Sequence, residues 1–446
     1  MEKHEKYYQI ITYGCQMNVH ESEKLAGILN DLGYLETEDE KLADVIVFNT
    51  CCIRENAEDK ARGNIGALKS LKKQKGKDLI IAVCGCMTQQ KGKAEALKQK
   101  FPFIDIIFGT YNLEDFRSLL SKRLESGKKF INVWEKEGQI VEGTPKYRTS
   151  FPNGWVNITY GCNNFCSYCI VPYVRGRERS RKMEDIIEEC KQLISQGYKE
   201  ITLLGQNVNS YGNDLENTNF SKLIKEIDNL DGDFRLRFMT NHPKDFSEEL
   251  VLALKNCKKI GKSVHLPVQA GSNRILKLMN RRYTREDYLE KVNTLRKHIP
   301  DIEITTDIMV GFPTETESDF LDTLDIVKKV RFSGAFTFVY SRRIGTPAAS
   351  MDGQIEESIS KDRIMRLIDV QNTINRENSV KCINKISRVL CEDYDNKRKM
   401  YMGRDEYGRM VYFNGEEKHI GEFVKVKIIN AEGISLIGET LGETNG

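Results

Sequence analysis

The chain has 446 residues, of which 39% are hydrophobic and 30% charged, and its formal net charge is only +3. This length allows two or three domains with separate cores, and the composition is that of an ordinary globular protein. The charged first eight residues precede no long apolar run, so the sequence predicts neither a signal peptide nor a membrane span, and we expect a cytoplasmic protein.

Residues 1–135 alternate between strand-like and helix-like patterns. Four apolar runs predict buried parallel strands, because both faces of such strands are covered; they occupy residues 8–12, 45–48, 79–83 and 104–108. Between the first two runs, apolar residues at helical spacing precede Gly33, which is typical of a helix and its end. This pattern predicts a doubly wound parallel α/β domain.

Cysteines follow three of these predicted strands. Cys15 follows the first strand, Cys51 and Cys52 the second, and Cys84 and Cys86 close the third. The carboxyl ends of parallel strands meet at one edge of a sheet, so these cysteines are expected to converge. The pattern indicates an iron-sulfur cluster, and buried structural cysteines are the alternative.

Residues 136–154 are rich in polar residues, Gly and Pro and predict a linker. Beyond it, over residues 155–375, a strand-helix alternation resumes with six predicted strands. They lie near residues 156–159, 201–204, 235–239, 263–266, 302–309 and 336–340. Six parallel strands in this pattern predict a partial (β/α)6 barrel, whose chemistry belongs at the carboxyl ends of the strands.

Three further cysteines, Cys162, Cys166 and Cys169, follow the first predicted barrel strand at C-x3-C-x2-C spacing. One short loop of this spacing reaches three corners of a cubane 4Fe-4S cluster and leaves one iron open to an external ligand. A structural zinc site is the alternative, but zinc takes four protein ligands and the neighbouring sequence offers no fourth Cys or His. The loop therefore favours an iron-sulfur cluster. Cys190, Cys257, Cys382 and Cys391 stand alone and are expected in the core.

Residues 376–446 contain short alternating runs separated by glycines, which predict a small antiparallel β-barrel of about five strands, similar to an OB barrel. Residues 381–404 carry seven basic side chains against three acidic ones, and residues 173–182 hold a second basic cluster. Such clusters suit a phosphate backbone, although a solvated charged face is the alternative for each.

The three parts together resemble the methylthiotransferase family of radical S-adenosylmethionine enzymes, with an N-terminal cluster domain, a radical domain and a C-terminal TRAM domain. Three motifs resemble the MiaB branch of this family, which acts on isopentenyladenosine in tRNA. These motifs are YGCQMN at residues 13–18, NTCCIRE at 49–55 and YVRGRE at 173–178.

The resemblance implies two 4Fe-4S clusters with S-adenosylmethionine as cofactor. It assigns Cys15, Cys51 and Cys86 to the auxiliary cluster, and Cys162, Cys166 and Cys169 to the cluster that cleaves the cofactor. Cys52 and Cys84 stand where relatives commonly have small residues. Because strand residues alternate in direction, Cys84 is expected on the same side as Cys86 and is the better candidate for a spare ligand or resolving thiol.

The resemblance also implies contacts with S-adenosylmethionine, for which the candidate residues are Tyr168, Gly205, Gln206, Asn207, His265, Gln269 and Gly311. On the substrate side the candidates are Arg175, Arg281, Tyr340 and Arg342, because arginine pairs with phosphate and an aromatic ring stacks on an unstacked base. For His265 and Tyr340, a plain core position is the alternative reading.

The implied reaction is methylthiolation at C2 of N6-isopentenyladenosine at position 37, next to the anticodon of tRNA. No acid-base catalytic residue is expected, because the two clusters carry the chemistry: one generates the radical and the other holds the sulfur. The implied partners are the tRNA anticodon stem-loop and an electron donor such as flavodoxin or ferredoxin. Alternatives are action on threonylcarbamoyladenosine in tRNA, action on an aspartate of a ribosomal protein, and a non-catalytic iron-sulfur protein that binds RNA and senses redox state.

Overall fold

The computed structural model describes residues 5–52 and 55–441, which form two compact units. The first unit comprises the described residues up to Thr149 together with Tyr160–Asn163 and Cys169–Arg179. The second comprises Ser150–Thr159, Asn164–Tyr168 and the described residues from Ser180 onward. Within these described ranges, no helix is both long enough and apolar enough to cross a membrane.

The first unit is built on a six-stranded parallel sheet in the order β2-β1-β3-β4-β5-β6. Its elements are β1 (Lys6–Thr12), α1 (Gln16–Asp31), β2 (Tyr34–Glu36), β3 (Val45–Thr50), α2 (Glu55–Ala67), α3 (Lys69–Lys75), β4 (Ile80–Gly85), α4 (Cys86–Gln89), α5 (Lys93–Lys100), β5 (Ile106–Phe108), α6 (Phe116–Ser126) and β6 (Phe130–Asn132). The strand order changes direction at β1, as in doubly wound folds, so the predicted fold class is confirmed.

Both faces of this sheet are buried, which explains why its strands read as unbroken apolar runs. On β3, Val45 and Val47 join the core on one face, which includes residues of α1 and α6. Ile46 and Phe48 join the core on the other face. The sequence prediction missed β2 and β6, because each has only three residues and lies at an edge of the sheet, where a strand needs no apolar run.

Three short elements lie between β7 and α8 in the chain: β8 (Thr159–Tyr160), α7 (Val171–Val174) and β9 (Arg179–Ser180). The six parallel strands of the second unit are β7 (Asn153–Asn157), β10 (Glu200–Leu204), β11 (Arg235–Phe238), β12 (Ser263–His265), β13 (Glu303–Val310) and β14 (Gly334–Val339). Its helices are α8 (Met183–Ser195), α9 (Phe220–Asp228), α10 (Glu248–Asn256), α11 (Asn273–Leu278), α12 (Arg285–His298), α13 (Glu317–Val330) and α14 (Glu357–Val380).

These strands form two three-stranded parallel sheets, β7-β10-β11 and β12-β13-β14. A parallel bridge between Leu236 of β11 and Ile260 links the two sheets. The six strands therefore follow one another in chain order, as predicted for a partial barrel. The first strand begins and ends earlier than predicted, because Asn153 to Asn157 pair with β10 and residue 158 already leaves the strand.

The C-terminal part is a closed five-stranded barrel in the order β15-β16-β17-β19-β18. Its strands are β15 (Ile386–Asp395), β16 (Met400–Arg404), β17 (Met410–Asn414), β18 (Phe423–Glu432) and β19 (Ser435–Thr440). Four of the five strand pairs are antiparallel, but β17 and β19 are parallel. The barrel closes because β19 returns between β17 and β18, which an all-antiparallel prediction does not include.

Candidate functional site

Three strand ends converge at one edge of the first unit's sheet, as the cysteine pattern predicted. Gly14 follows β1 with a φ of 126° and passes so close to Cys51 that a β-carbon on Gly14 would lie 2.8 Å from the Cys51 β-carbon. The side-chain amide of Asn18 donates to the Thr50 carbonyl at 3.2 Å. The Thr50 hydroxyl in turn donates to the carbonyl of Cys84. The ends of β1, β3 and β4 are therefore held together around the cysteines.

Cys86 lies beside Cys52, and Cys84 lies elsewhere. Cys52 and Cys86 belong to one small buried cluster, whereas Cys84 packs in the apolar core of the sheet. The strand ends at Gly85, whose φ is 99°, and Cys86 opens α4, so the alternation of strand side chains does not extend to Cys86. The expectation that Cys84 shares a side with Cys86 is therefore wrong, and Cys52 is the extra thiol at this site.

The electrostatic environment favours a thiolate at Cys86. A hydrogen bond from the Cys52 thiol and the positive charge of Arg175 lower the pKa of Cys86. The hydrogen bond to Cys86 raises the pKa of Cys52, and burial raises that of Cys84. Metals bind the thiolate form of cysteine, so the lowered pKa of Cys86 favours metal binding. The raised pKa of Cys84 favours the neutral thiol, which suits a core position.

Arg175 has a different position from the one predicted for a substrate contact. Its side chain is only 5% exposed and pairs with both carboxylate oxygens of Glu21, at 2.5 and 3.1 Å. It also contacts the Met17 sulfur at 3.0 Å. A guanidinium whose fork is taken by a buried carboxylate is not available to a phosphate, so the substrate role predicted for Arg175 is not supported.

The three-cysteine loop supplies Cys166 to the second unit, where the sulfur has two polar neighbours. The Arg281 guanidinium donates to Cys166 Sγ at 3.2 Å, and His242 Nε2 lies 4.0 Å from the same sulfur. Burial and the charge of Arg281 lower the pKa of His242 to about 2, so this ring is neutral. In the first unit, Cys162 is buried and Cys169 is half-buried.

The part of the chain that the structure describes contains no group of three or more Cys, His, Asp or Glu side chains placed to hold a metal ion. The six cysteines therefore remain a predicted ligand set. Their surroundings fit iron-sulfur clusters, because a cluster with thiolate ligands is anionic and each set has a buried arginine beside one of its cysteines. These are Arg175 for Cys86 and Arg281 for Cys166.

Buried amide groups gather where β7, β10 and β11 end. Among the described residues, the amide oxygens of Asn157, Asn207, Asn209 and Asn241 are buried without a hydrogen-bond partner. The Asn207 Nδ2 donates to Asp245 at 2.7 Å, which fixes its oxygen. Buried polar atoms are rarely left without a partner, so this group fits a polar ligand such as S-adenosylmethionine. The sequence prediction included Asn207 but missed the other three, although an asparagine after a buried strand was a usable signal.

Two other predicted cofactor residues lie beside these amides. Gly205 packs against the Thr159 side chain so closely that a β-carbon would collide with it. Gln206 follows with a buried Oε1 atom. Gly205 therefore allows the chain after β10 to pass close to Thr159 of β8, which is a packing role.

His265, Gln269 and Gly311 lie around β13. His265 Nδ1 is 3.0 Å from Thr305 Oγ1, and its Nε2 is 3.5 Å from Asp307 Oδ2, so it is not the isolated core histidine of the alternative reading. Gln269 has a φ of 68° and bonds through its backbone to β13. The Gly311 amide donates to Glu315 at 2.8 Å and its α-carbon faces Ser360, so packing accounts for this glycine and a cofactor contact is not supported.

The three remaining substrate candidates lie in different surroundings: Arg281 is next to the cysteine loop, whereas Tyr340 and Arg342 have other contacts. Arg281 is 4% exposed and donates to the hydroxyl of Tyr168 at 3.4 Å, so the predicted substrate role of Arg281 is not supported. Tyr340 is half-buried against Phe312, and within the described chain its hydroxyl has no hydrogen-bond partner. Arg342 is exposed, with its Nε donating to the Ala349 carbonyl at 2.6 Å. Tyr340 and Arg342 remain compatible with substrate contact.

Three family models match the chain in the order of its architecture. Residues 7–109 match the uncharacterized protein family UPF0004, residues 156–327 the radical SAM superfamily, and residues 380–441 the TRAM domain. Among solved structures, the radical S-adenosylmethionine methyltransferase TsrM from Kitasatospora setae matches with a TM-score of 0.58 at 16% identity over 77% of each chain. At that identity the likeness concerns the fold alone. The chain thus has the fold of a radical S-adenosylmethionine enzyme.

Curated relatives give a closer match. A protein from Clostridium tetani is 53% identical over 96% of this chain and 95% of its own length, and one from Alkaliphilus oremlandii is 52% identical over 98% and 93%. Both are named tRNA-2-methylthio-N(6)-dimethylallyladenosine synthase. The chain belongs to this family of radical S-adenosylmethionine transferases.

Proposed function

We propose that this chain is itself a tRNA-2-methylthio-N(6)-dimethylallyladenosine synthase. It would attach a methylthio group to C2 of N6-isopentenyladenosine at position 37 of tRNA, next to the anticodon. The observation that carries the proposal is that the ends of β1, β3 and β4 meet, with Gly14 against Cys51 and with Cys86 beside Cys52, in a chain more than half identical to synthases of that name. Because one fold can host many different reactions, the proposal is based on the cysteine arrangement and on the similarity to these relatives, and not on the fold.

Two 4Fe-4S clusters and S-adenosylmethionine are the proposed cofactors. Cys162, Cys166 and Cys169 would hold one cluster, and Cys15, Cys51 and Cys86 the other. When bound, these groups supply reductive cleavage of S-adenosylmethionine and a place for the transferred sulfur.

The protein's own groups would bind and orient these cofactors. The hydrogen bond from Cys52 and the charge of Arg175 favour the thiolate of Cys86. The buried amide oxygens at the ends of β7, β10 and β11 accept hydrogen bonds, so they suit the ammonium group of S-adenosylmethionine. Tyr340 and Arg342 would contact the substrate base and phosphate.

We propose three functional parts along the chain: an auxiliary-cluster domain over residues 1–135, a radical domain over 155–375 and an RNA-binding TRAM domain over 376–446. The tRNA anticodon stem-loop is the proposed substrate, and a low-potential donor such as flavodoxin or ferredoxin the proposed source of electrons. The barrel of the C-terminal part presents exposed lysines and arginines, which suit a phosphate backbone. We place the protein in the cytoplasm, where tRNA is modified.

The test is mass spectrometry of tRNA nucleosides from cells that lack this protein. The methylthiolated nucleoside should disappear while isopentenyladenosine accumulates, and a plasmid copy of the wild type should reverse both changes. A Cys86→Ala copy should fail. Cys257→Ala should restore the product, because Cys257 is half-buried at the end of α10, away from both cysteine sets in sequence. An unchanged nucleoside profile in the deletion strain would reject the proposed substrate. A change in the methylthiolation of threonylcarbamoyladenosine would identify that nucleoside as the substrate instead.

A further inference from the structure

The Arg281 guanidinium is buried in the second unit and binds one of the proposed cluster cysteines directly. It follows α11 between Asn280 and Arg282, which both have positive φ values, so the backbone is shaped to turn this side chain inward. Nη1 donates to Cys166 Sγ at 3.2 Å. Nη2 donates to the Pro267 carbonyl and Nε to the Tyr283 hydroxyl, both at 3.0 Å. These contacts fix the fork of the guanidinium in one orientation.

The charge of Arg281 has no carboxylate to balance it among the described residues. Its hydrogen-bond partners are a thiol sulfur, a carbonyl and two phenol hydroxyls. A buried cation without an anionic partner is costly, in contrast to Arg175, which pairs with Glu21. The positive charge of Arg281 is therefore placed to balance an anionic group bound at Cys166 Sγ.

His242 adds a second donor toward the same sulfur. The Lys244 backbone amide donates to His242 Nδ1 at 3.2 Å, so Nδ1 is the acceptor and the proton of the neutral ring is on Nε2. Nε2 lies 4.0 Å from Cys166 Sγ. The ring is held edge-on against Tyr283, with 5.7 Å between the centroids. Two elements of the second unit thus direct N–H groups at Cys166.

We propose that Arg281 is a positioning residue that makes the cluster bound by Cys162, Cys166 and Cys169 easier to reduce. The inference rests on the proposed function only in so far as that loop carries a 4Fe-4S cluster. One electron from an external low-potential donor lowers the cluster charge by one unit, and no bond or proton changes. A fixed positive charge and hydrogen bonds to a ligand sulfur stabilise the more negative, reduced state and so raise the reduction potential.

The test compares anaerobically reconstituted full-length wild type with Arg281→Gln, Arg281→Lys and Arg282→Gln. The last removes the same charge from the exposed neighbouring residue and is the matched control. The readout is the midpoint potential of the EPR component that changes when S-adenosylmethionine is added, which separates this cluster from the auxiliary one. Iron and sulfide per chain are measured on each sample.

Arg281→Gln should lower the equilibrium constant for reduction about tenfold, a shift of about 59 mV to more negative potential for one electron. Arg281→Lys keeps the charge without the fixed fork and should lie between Arg281→Gln and the wild type, and Arg282→Gln should match the wild type. An unchanged potential in an iron-replete Arg281→Gln protein would overturn the proposal. Loss of iron from Arg281→Gln alone would overturn it too, because Arg281 would then hold the fold instead of tuning the cluster.

The potential is read without tRNA, so this test and the test of the proposed function fail separately. If Arg281→Gln shifts the potential but the wild type makes no methylthiolated nucleoside in cells, the role of Arg281 stands and the substrate assignment is wrong. If the wild type makes the nucleoside but Arg281→Gln leaves the potential unchanged, the proposed function stands and the role of Arg281 is wrong.

Discussion

Individual cysteines at or near the strand ends of the first unit differ in what surrounds them. Cys84 has the apolar core of the first unit around it, whereas Cys86 has a thiol and a buried arginine nearby. A thiolate is unfavourable in the first environment and favoured in the second. The two residues are two positions apart, a spacing that would put both on one side of a continuous strand, and the turn at Gly85 separates them.

We expect Cys84→Ala to leave iron binding intact and to cost about 1 kcal/mol of stability, because it removes one buried sulfur from a packed core. Cys86→Ala should lower iron and sulfide by about half, because one of two clusters loses a ligand. Iron and sulfide analysis of anaerobic preparations checks both variants. Equal iron loss in the two would mean that Cys84 is a ligand after all.

The arginines show which part of the site the sequence could not predict. Arg175 lies in the basic cluster of residues 173–182, and both Arg175 and Arg281 are predicted from the sequence to contact the substrate. Arg175 instead pairs with Glu21, which is 154 residues away in the chain, and Arg281 binds Cys166, which is 115 residues away. The charge of neighbouring residues in the sequence does not predict partners so far away along the chain. The three-cysteine motif, in contrast, lies within eight consecutive residues, so its spacing could be recognised from the sequence alone.

At the scale of elements, apolar runs predicted the buried strands and failed where strands are short or exposed. The strands β3 and β4 are buried along their whole length, and both were found. The edge strands β2 and β6 carry exposed or half-buried residues and were missed. The parallel pairing of β17 with β19 was missed as well, because side-chain alternation is the same in parallel and antiparallel pairs.

The turn between β16 and β17 contains a buried carboxylate with a clear dependence on pH. Asp405 is fully buried and accepts the backbone amides of Tyr407 and Arg409 at 3.0 and 2.8 Å through one oxygen. Burial raises the pKa of Asp405 to about 6, although these two amides lower it. The folded state therefore favours the protonated carboxyl. The contribution of Asp405 to the free energy of unfolding is complete below about pH 4 and is lost as the pH rises through 6.

Asp405→Asn should remove this loss, because an amide oxygen keeps both hydrogen bonds and carries no charge. We expect the opening free energy of β16 and β17 at pH 7 to rise by roughly 1–3 kcal/mol over the wild type, with little difference at pH 4. Hydrogen exchange followed by mass spectrometry, with variant and wild type compared at each pH, measures it. Weaker protection in the variant at pH 7 would show that the carboxylate charge is needed.

At the scale of the whole molecule, a net charge of +3 conceals an uneven distribution of available cations. In the C-terminal barrel, exposed Arg388, Arg398 and Arg404 are each paired with a carboxylate. The exposed Lys397 and Lys399, at the β15–β16 turn, form none of the ion pairs found in the described residues. Unpaired lysines release counterions when they meet phosphates, and paired arginines must first break an ion pair.

The double variant Lys397→Gln and Lys399→Gln should therefore weaken tRNA binding and lower the slope of log affinity against log salt by about 1 to 2, because each phosphate contact contributes about 0.7 to 0.9. Lys98→Gln with Lys122→Gln removes the same charge from exposed positions of α5 and α6 and should change the slope little. Fluorescence anisotropy with an anticodon stem-loop over a range of salt concentrations measures both slopes. Equal losses in the two variants would mean that net charge, and not the barrel turn, attracts the tRNA.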